Sequence, residues 1–300
     1  MARSRPSATN LSLGRDGCGI QNAKKTMPTE IYKELRPCSV DKQLELALGA
    51  AQAAGAAILR HYNQMLTVEQ KLDGSPLTLA DQAAHQVIVD RLEKSGLVVV
   101  SEEGEDIHPA TERYWLVDPL DGTKDFLAGN GEFTVNIALV DQGQPVLGLV
   151  FAPAIDTFFW GAEGMGAWKV TKGACTSLSS YPRSASLRMA VSRFHDHPDV
   201  DIFATANGVT KRFAIGSALK YGLLTAGEID VFPRLVGSSE WDTAAGQAVL
   251  EAAGGQVLDW RTGKPLVYGK PRRRNPRLLA LRVPYSLEEF HLKYYESELL

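Results

Sequence analysis

The stretch that most limits the fold is "FTVNIALVDQGQPVLGLVFAPAIDTFFWGAEGMGAWKV", residues 133–170. β-Branched and aromatic residues alternate there between Gly, Pro and Asp turns, which predicts a meander of antiparallel strands. Two helical patterns precede it. In 40–62, Leu44, Leu48, Ala51, Gly55, Ile58 and Leu59 recur at steps of three and four. In 75–96, Pro76 falls ahead of the helix, Thr78 can cap it, Asp81 lies in the first turn and Gly96 ends it. Two short buried strands follow, "LVVVSEE" and "YWLVDP", the second closed by Pro119. Beyond Pro182, "LRMAVS", "KRFAIGSALKYGLLTAGEIDVF" and "EWDTAAGQAVLEAAGG" alternate short strands and helices, and "QVLDW" reads as a strand. The expected class is α/β (α+β), with helices layered against sheets. Residues 39–300 are expected to form a single domain with a soft two-lobe division near 180–186.

Composition narrows the function classes. Apolar residues make up 44% of the 300 and charged residues 22%, with a net charge of −3. That is ordinary globular composition with no bulk basic field for nucleic acid. No apolar run is long enough for a transmembrane helix. Cys18, Cys38 and Cys175 are scattered, which argues against a disulfide framework and for a cytoplasmic setting. Peripheral association with the inner membrane stays open. Residues 1–29 carry a net charge of +4 and no apolar segment, so no secretory signal is read there. The first 38 residues are expected to be a disordered leader, with Met27 as an alternative start.

The chemistry concentrates in "WLVDPLDGTKDF", 115–126. Asp118 and Asp121 sit three apart across Pro119 at a strand end, where bare carboxylates would repel. A hard cation such as Mg²⁺ removes that repulsion and keeps positions for water and phosphate oxygens. Leu120 can add its backbone carbonyl, and Gly122 permits a tight backbone. "GTKDFLAG" can start a helix whose free N–H groups favour an anion. A plain Asx-capped turn is the ordinary alternative for such residues. Glu102 closes the preceding strand, and strands sharing one sheet would bring it beside Asp118; a solvated acidic loop is the plain alternative. Asp242 reads equally as an N-cap, and Asp81 as a first-turn acid.

Taken together, "SEE", "WLVDPLDGTKDF" and "EWDTAAGQAVLEAAGG" resemble the three metal-binding motifs of the inositol monophosphatase superfamily. "GSPLTLAD", "GEFTVNIALVDQGQPVLGLVFAP", "GSALK" and the "PR" of "VFPR" are similar to the CysQ-type 3′(2′),5′-bisphosphate nucleotidases. The resemblance covers roughly residues 40–268. It implies the layered αβαβα sugar-phosphatase fold. It implies that Glu102, Asp118, the Leu120 carbonyl, Asp121 and Asp242 bind two or three Mg²⁺ ions, and that Asp81 polarises Thr123 to orient the attacking water. Glu102 would assist near that water. Gly122 and Thr123 would offer N–H groups to the phosphate. Ser217, Lys220, Arg234 and Asp242 would contact the substrate. The implied reaction removes the 3′-phosphate of 3′-phosphoadenosine 5′-phosphate, with sensitivity to lithium and a place in sulfur metabolism.

Rival readings are inositol monophosphatase or fructose-1,6-bisphosphatase activity on the same scaffold, and a non-catalytic metal- or phosphate-binding protein. The presence of Asp81 and Thr123 speaks against the last. His85, His108, His195 and His197 fit no ligand spacing. The basic run "KPRRRNPR", 270–277, reads as a solvated turn rather than a nucleic-acid contact. The expected partner is a small phosphorylated nucleotide, on a monomer or homodimer without integral membrane contact. A short segment with Pro109 lies between "SEE" and "RYWLVDP" and is expected to border the site.

Overall fold

The computed structural model describes residues 42–62, 64, 69–70, 76–105, 107–108, 111–179, 181–194 and 197–291. The leader of residues 1–38, Cys18, Cys38, Pro109 and His195 lie outside them. Helix α1 spans Lys42–His61 and α2 spans Leu79–Leu92. Along α1, Leu44, Leu48, Ala51, Gly55 and Ile58 are buried as the spacing predicts, whereas Leu59 is exposed.

Seven strands form the larger sheet in chain order: β1 (Val98–Ser101), β2 (Arg113–Asp121), β3 (Thr134–Asp141), β4 (Gln144–Ala152), β5 (Thr157–Ala162), β6 (Gly166–Thr171) and β7 (Ala174–Leu178). Only β1 and β2 run parallel; the rest is the expected meander. Successive side chains on a strand face opposite ways. On β3, Val135, Ile137 and Leu139 therefore pack with α1 and α2, while Ala138 and Val140 pack on the other side. Burial on both faces explains why this strand is apolar almost throughout.

Helix α3 (Thr123–Leu127) follows β2. The second sheet has five strands, in the order β9 (Lys211–Ile215), β8 (Arg188–Ser192), β10 (Val231–Arg234), β12 (Leu278–Leu281), β11 (Gln256–Asp259). Helix α4 (Asp199–Ala206) sets Phe203 into a cluster with Met189 and Leu279 on its outer face. Helices α5 (Leu219–Thr225) and α6 (Ala244–Ala252) fill the space between the sheets. The layers thus run helix, sheet, helix, sheet, helix, as expected. Close approach of α6 to the first sheet depends on glycine. A Cβ at Gly148 would run into the Ala245 carbonyl, and one at Gly161 would lie 2.8 Å from the Ala252 Cβ.

One boundary differs from expectation. Strand β2 does not close at Pro119 but runs to Asp121, through an irregularity between Asp118 and Asp121. Proline is tolerated there because a bulge leaves one residue outside the ladder, so the missing N–H costs no hydrogen bond. Among the described residues, no helix is long and apolar enough to cross a membrane.

Candidate active site

The bulge explains the odd spacing of the two aspartates. Asp118 pairs with Asn136 and Asp121 with Thr134, so three steps on β2 match two on β3. In a regular strand residues three apart face opposite sides. The extra residue turns both carboxylates to the same side, and both line one cavity of about 310 Å³. Glu102 joins them because β1 is parallel to β2, with Ser101 opposite Val117. The Glu102 N–H donates to the Val117 carbonyl at 3.1 Å, which sets Glu102 beside the start of the acidic turn.

Glu102, Asp118, Leu120, Asp121, Gly122, Thr123, Ser217, Lys220, Arg234 and Asp242 all line this cavity. Asp81 stands behind it, buried in α2, and reaches it through Thr123. Its Oδ2 accepts from the Thr78 N–H at 2.8 Å and the Thr78 hydroxyl at 2.6 Å. Its Oδ1 accepts from the Thr123 hydroxyl at 3.4 Å. Asp81 is thus both the expected first-turn acid and a partner of Thr123. The Thr123 hydroxyl also lies 3.4 Å from the Leu120 carbonyl. Gly122 takes a left-handed conformation (φ 85°), and a Cβ there would come within 3.1 Å of the Ser217 Cβ. Ser217 itself has φ 47°.

Asp242 is not the N-cap that its position suggested. Thr243 holds that place, and no side chain caps the helix. The Asp242 carboxylate instead accepts from the Ser239 N–H at 2.9 Å and faces the cavity. Its pKa is pushed up to about 7 by burial and by the charges of Asp121 and Glu102. Burial also raises Asp121, although Lys220, Asn136 and the Ala218 N–H favour its charged form. Asp121 Oδ2 accepts from the Ala218 N–H at 2.5 Å and from Asn136 Nδ2 at 3.2 Å. Asp118 Oδ1 accepts from the Leu120 N–H at 3.1 Å. Repelling acids take amide donors in this way, and among the described residues no three His, Cys, Asp or Glu side chains are drawn into a ready ion cage.

The cations differ in how they are held. Lys220 is buried, and its Nζ donates to the carbonyls of Ile215 (3.0 Å) and Ser217 (2.6 Å). Burial, then Arg234, brings its pKa down to about 8. Arg234 Nη1 donates to the Ser192 hydroxyl at 3.0 Å. Sequence reasoning missed a third group. Arg193 Nη2 donates to both Glu132 oxygens (2.8 and 2.7 Å) and to the Ala214 carbonyl (2.7 Å), while Glu132 accepts from the Gly216 N–H at 2.7 Å. This network secures the end of β9 and the turn that follows it, which line the cavity. No local pattern announces it, because its members lie up to 84 residues apart. His85 lies apart from these groups, with Nδ1 2.8 Å from the Ser101 hydroxyl.

Comparison with known proteins decides the family. The profile of the Inositol monophosphatase family matches residues 39–295. The chain belongs to the inositol monophosphatase family. Within it, the chain is 43% identical to the 3′(2′),5′-bisphosphate nucleotidase CysQ of Escherichia coli K12 over 225 residues, covering 73% of this chain and 90% of that one. Identity to the Salmonella typhimurium CysQ is 42% over 232 residues, 75% and 93% of the two chains. Among solved structures of the family, CysQ from Bacteroides thetaiotaomicron superposes with a TM-score of 0.71 at 33% identity, covering 81% of this chain and 98% of that one. The extragenic suppressor protein suhB from Bartonella henselae gives 0.68 at 27%, covering 80% and 93%.

Proposed function

We propose that this chain is a Mg²⁺-dependent phosphatase that removes the 3′-phosphate of 3′-phosphoadenosine 5′-phosphate, leaving AMP and phosphate. The observation that carries the reading is the bulge-driven convergence of Asp118 and Asp121 with Glu102 and Asp242 on one cavity. The relatives at 42–43% identity are named as nucleotidases of this type.

The donor set fits magnesium. All its side chains are carboxylates, joined by the Leu120 carbonyl, and hard divalent ions take oxygen ligands. The pKa of Asp242, raised by burial and then by Asp121 and Glu102, marks a place where carboxylates crowd together. Glu102 and Asp118 would hold one ion. Asp118, Asp121 and Asp242 would hold a second, with the Leu120 carbonyl among the ligands. Bound there, the ions supply charge neutralisation for the phosphoryl group and make a nearby water more acidic.

The rest falls to the chain's own atoms. Phosphoryl transfer asks mainly for positioning and charge neutralisation. With the Leu120 carbonyl among an ion's ligands, the Thr123 hydroxyl would donate to Asp81 alone. The Thr123 oxygen then presents its lone pairs to the attacking water and fixes its direction. Glu102 stands near to take up a proton. The N–H groups of Gly122 and Thr123 face the phosphate oxygens. Ser217, Lys220 and Arg234 border the rest of the substrate, with Lys220 acting chiefly by shaping the loop through its carbonyl contacts.

The test is phosphate release with Mg²⁺ from 3′-phosphoadenosine 5′-phosphate, inositol 1-phosphate and fructose 1,6-bisphosphate in parallel, repeated with Li⁺ and with Asp121→Asn. The expected result is preference for the nucleotide, inhibited by Li⁺ and lost in the variant. Preference for inositol phosphate or the sugar would overturn the substrate, and no release from any of them would overturn the reaction.

A further inference from the structure

The basic run 270–277 is not the uniform solvated turn that its composition suggested. Residues 274–275 pair antiparallel with 238–239, in the register Ser238 to Asn275 and Ser239 to Arg274. Neighbouring side chains therefore point opposite ways. Arg273 is buried, and its guanidinium donates to the Ile107 carbonyl. Asn275 is buried and donates to the Ser239 carbonyl (2.7 Å) and the Thr243 hydroxyl (2.8 Å). Arg274, between them, is exposed and lines the same cavity as the acidic cluster.

Three of the other four cations that line that cavity are committed; the fourth, Lys124, follows Thr123 on α3. Arg193 serves Glu132, Lys220 serves backbone carbonyls, and Arg234 sits in the field of Asp121 and Asp242. Among the guanidinium groups that line the cavity, Arg274 is the exposed one, and its side-chain hydrogen bond is to the Ser239 hydroxyl at 3.1 Å. Its Nη2 lies over Gly237, 3.8 Å from where a Cβ would stand, so no side chain of that residue shields it. The backbone beneath it is fixed by the strand pairing and by Asn275.

We infer that Arg274 forms a subsite for a second phosphate of the substrate, at the rim of the cavity beside Ser239. This rests on the phosphatase reading above. A bisphosphorylated substrate carries one phosphate into the acidic centre, where cations must neutralise it. The other phosphate has to lie away from the carboxylates and needs a donor of its own. A guanidinium offers a planar fork of donors that matches a phosphate's oxygens. Arg274 thereby sets the preference for bisphosphates over monophosphates and does not touch the reacting atoms.

The experiment compares kcat/KM for 3′-phosphoadenosine 5′-phosphate and for 3′-AMP, which lacks the 5′-phosphate, in the wild type, Arg274→Gln and Arg274→Lys. Losing one charge-assisted contact predicts a fall of roughly 10-fold for the bisphosphate in Arg274→Gln. That fall is carried by KM, and 3′-AMP changes by less than about twofold. Arg274→Lys should recover part of the loss, and the difference should shrink at high salt. Equal losses on both substrates, or none on either, would overturn the subsite. Absence of turnover on both nucleotides in the wild type would instead overturn the phosphatase reading on which it stands.

Discussion

Two aspartates of this molecule, Asp230 and Asp242, sit in opposite electrostatic surroundings. Asp230, at the start of β10, is fully enclosed and ringed by donors. Arg188 meets it through Nη2 at 2.9 Å and Arg282 through Nη2 at 2.6 Å, and the Ser184 hydroxyl adds a bond at 2.9 Å. Burial alone would raise its pKa, but these hydrogen bonds outweigh it and hold the carboxyl low. Asp242 is half-buried on the cavity wall, and its pKa is raised to about 7 by burial first and then by its negative neighbours Asp121 and Glu102. A chain that folds for stability alone would pair the second acid as it pairs the first. Leaving it in repulsion is the signature of a site that waits for a cation.

The largest expected effect of breaking that contrast is on turnover. Asp242→Asn should lower kcat by about 10²–10³-fold, by analogy with the loss of one strong electrostatic stabiliser. The same variant, unfolded in urea without metal, should be as stable as the wild type or more so, because repulsion is removed. Asp230→Asn should do the reverse. Removing one partner of a buried ion-pair cluster costs about 3–5 kcal/mol, measured as a lower urea midpoint with an unchanged slope. Thr123→Val should cost about 10²-fold or more in kcat through loss of the oriented hydroxyl, with little change in substrate binding.

Smaller, but opposite in sign at the two sites, is the dependence of stability on pH. The folded pKa of Asp242 lies above its unfolded value, so the folded state holds the extra proton between about pH 4 and 7. Its contribution therefore falls as pH rises through that window in metal-free protein. Asp230 has a lowered pKa, so its contribution is present above the unfolded value and is lost as pH falls through the folded one. Thermal scans of the wild type, Asp242→Asn and Asp230→Asn across pH 3–8 would separate the two slopes. A related binding measurement sharpens the point. Metal-free protein should fail to bind 3′-phosphoadenosine 5′-phosphate in calorimetry, because the carboxylates repel it.

The same contrast shows what the sequence made legible. Glu102, Asp118, Asp121 and Thr123 could be read because strand ends and a proline turn carry them within 22 residues of chain. Their spacing was odd on its face, and the bulge supplies its cause. Asp242 was visible but looked like a cap, since a carboxylate before a helix has an ordinary local role. Asp230 and its arginines were invisible, being joined only by the register of the second sheet. The same holds for Arg193 and Glu132. Strand β12 also passed unread: "LLAL" is too short and too uniform to show a period, and its arginine-rich approach looked like a turn. Helix α4, only Asp199–Ala206 long, offers little more than two turns of pattern. Arg274 could not be told from Arg272 or Arg273 without the pairing to Ser239.

The most direct test of the account is the melting temperature of the wild type and of Asp242→Asn at pH 7.5, each titrated with MgCl₂ after chelator treatment. The account predicts that magnesium raises the wild-type melting temperature strongly, and that the variant starts no lower than the metal-free wild type and responds little. A wild type indifferent to magnesium, or a variant less stable than the metal-free wild type, would contradict the claim that this acidic cluster is held in repulsion for a cation.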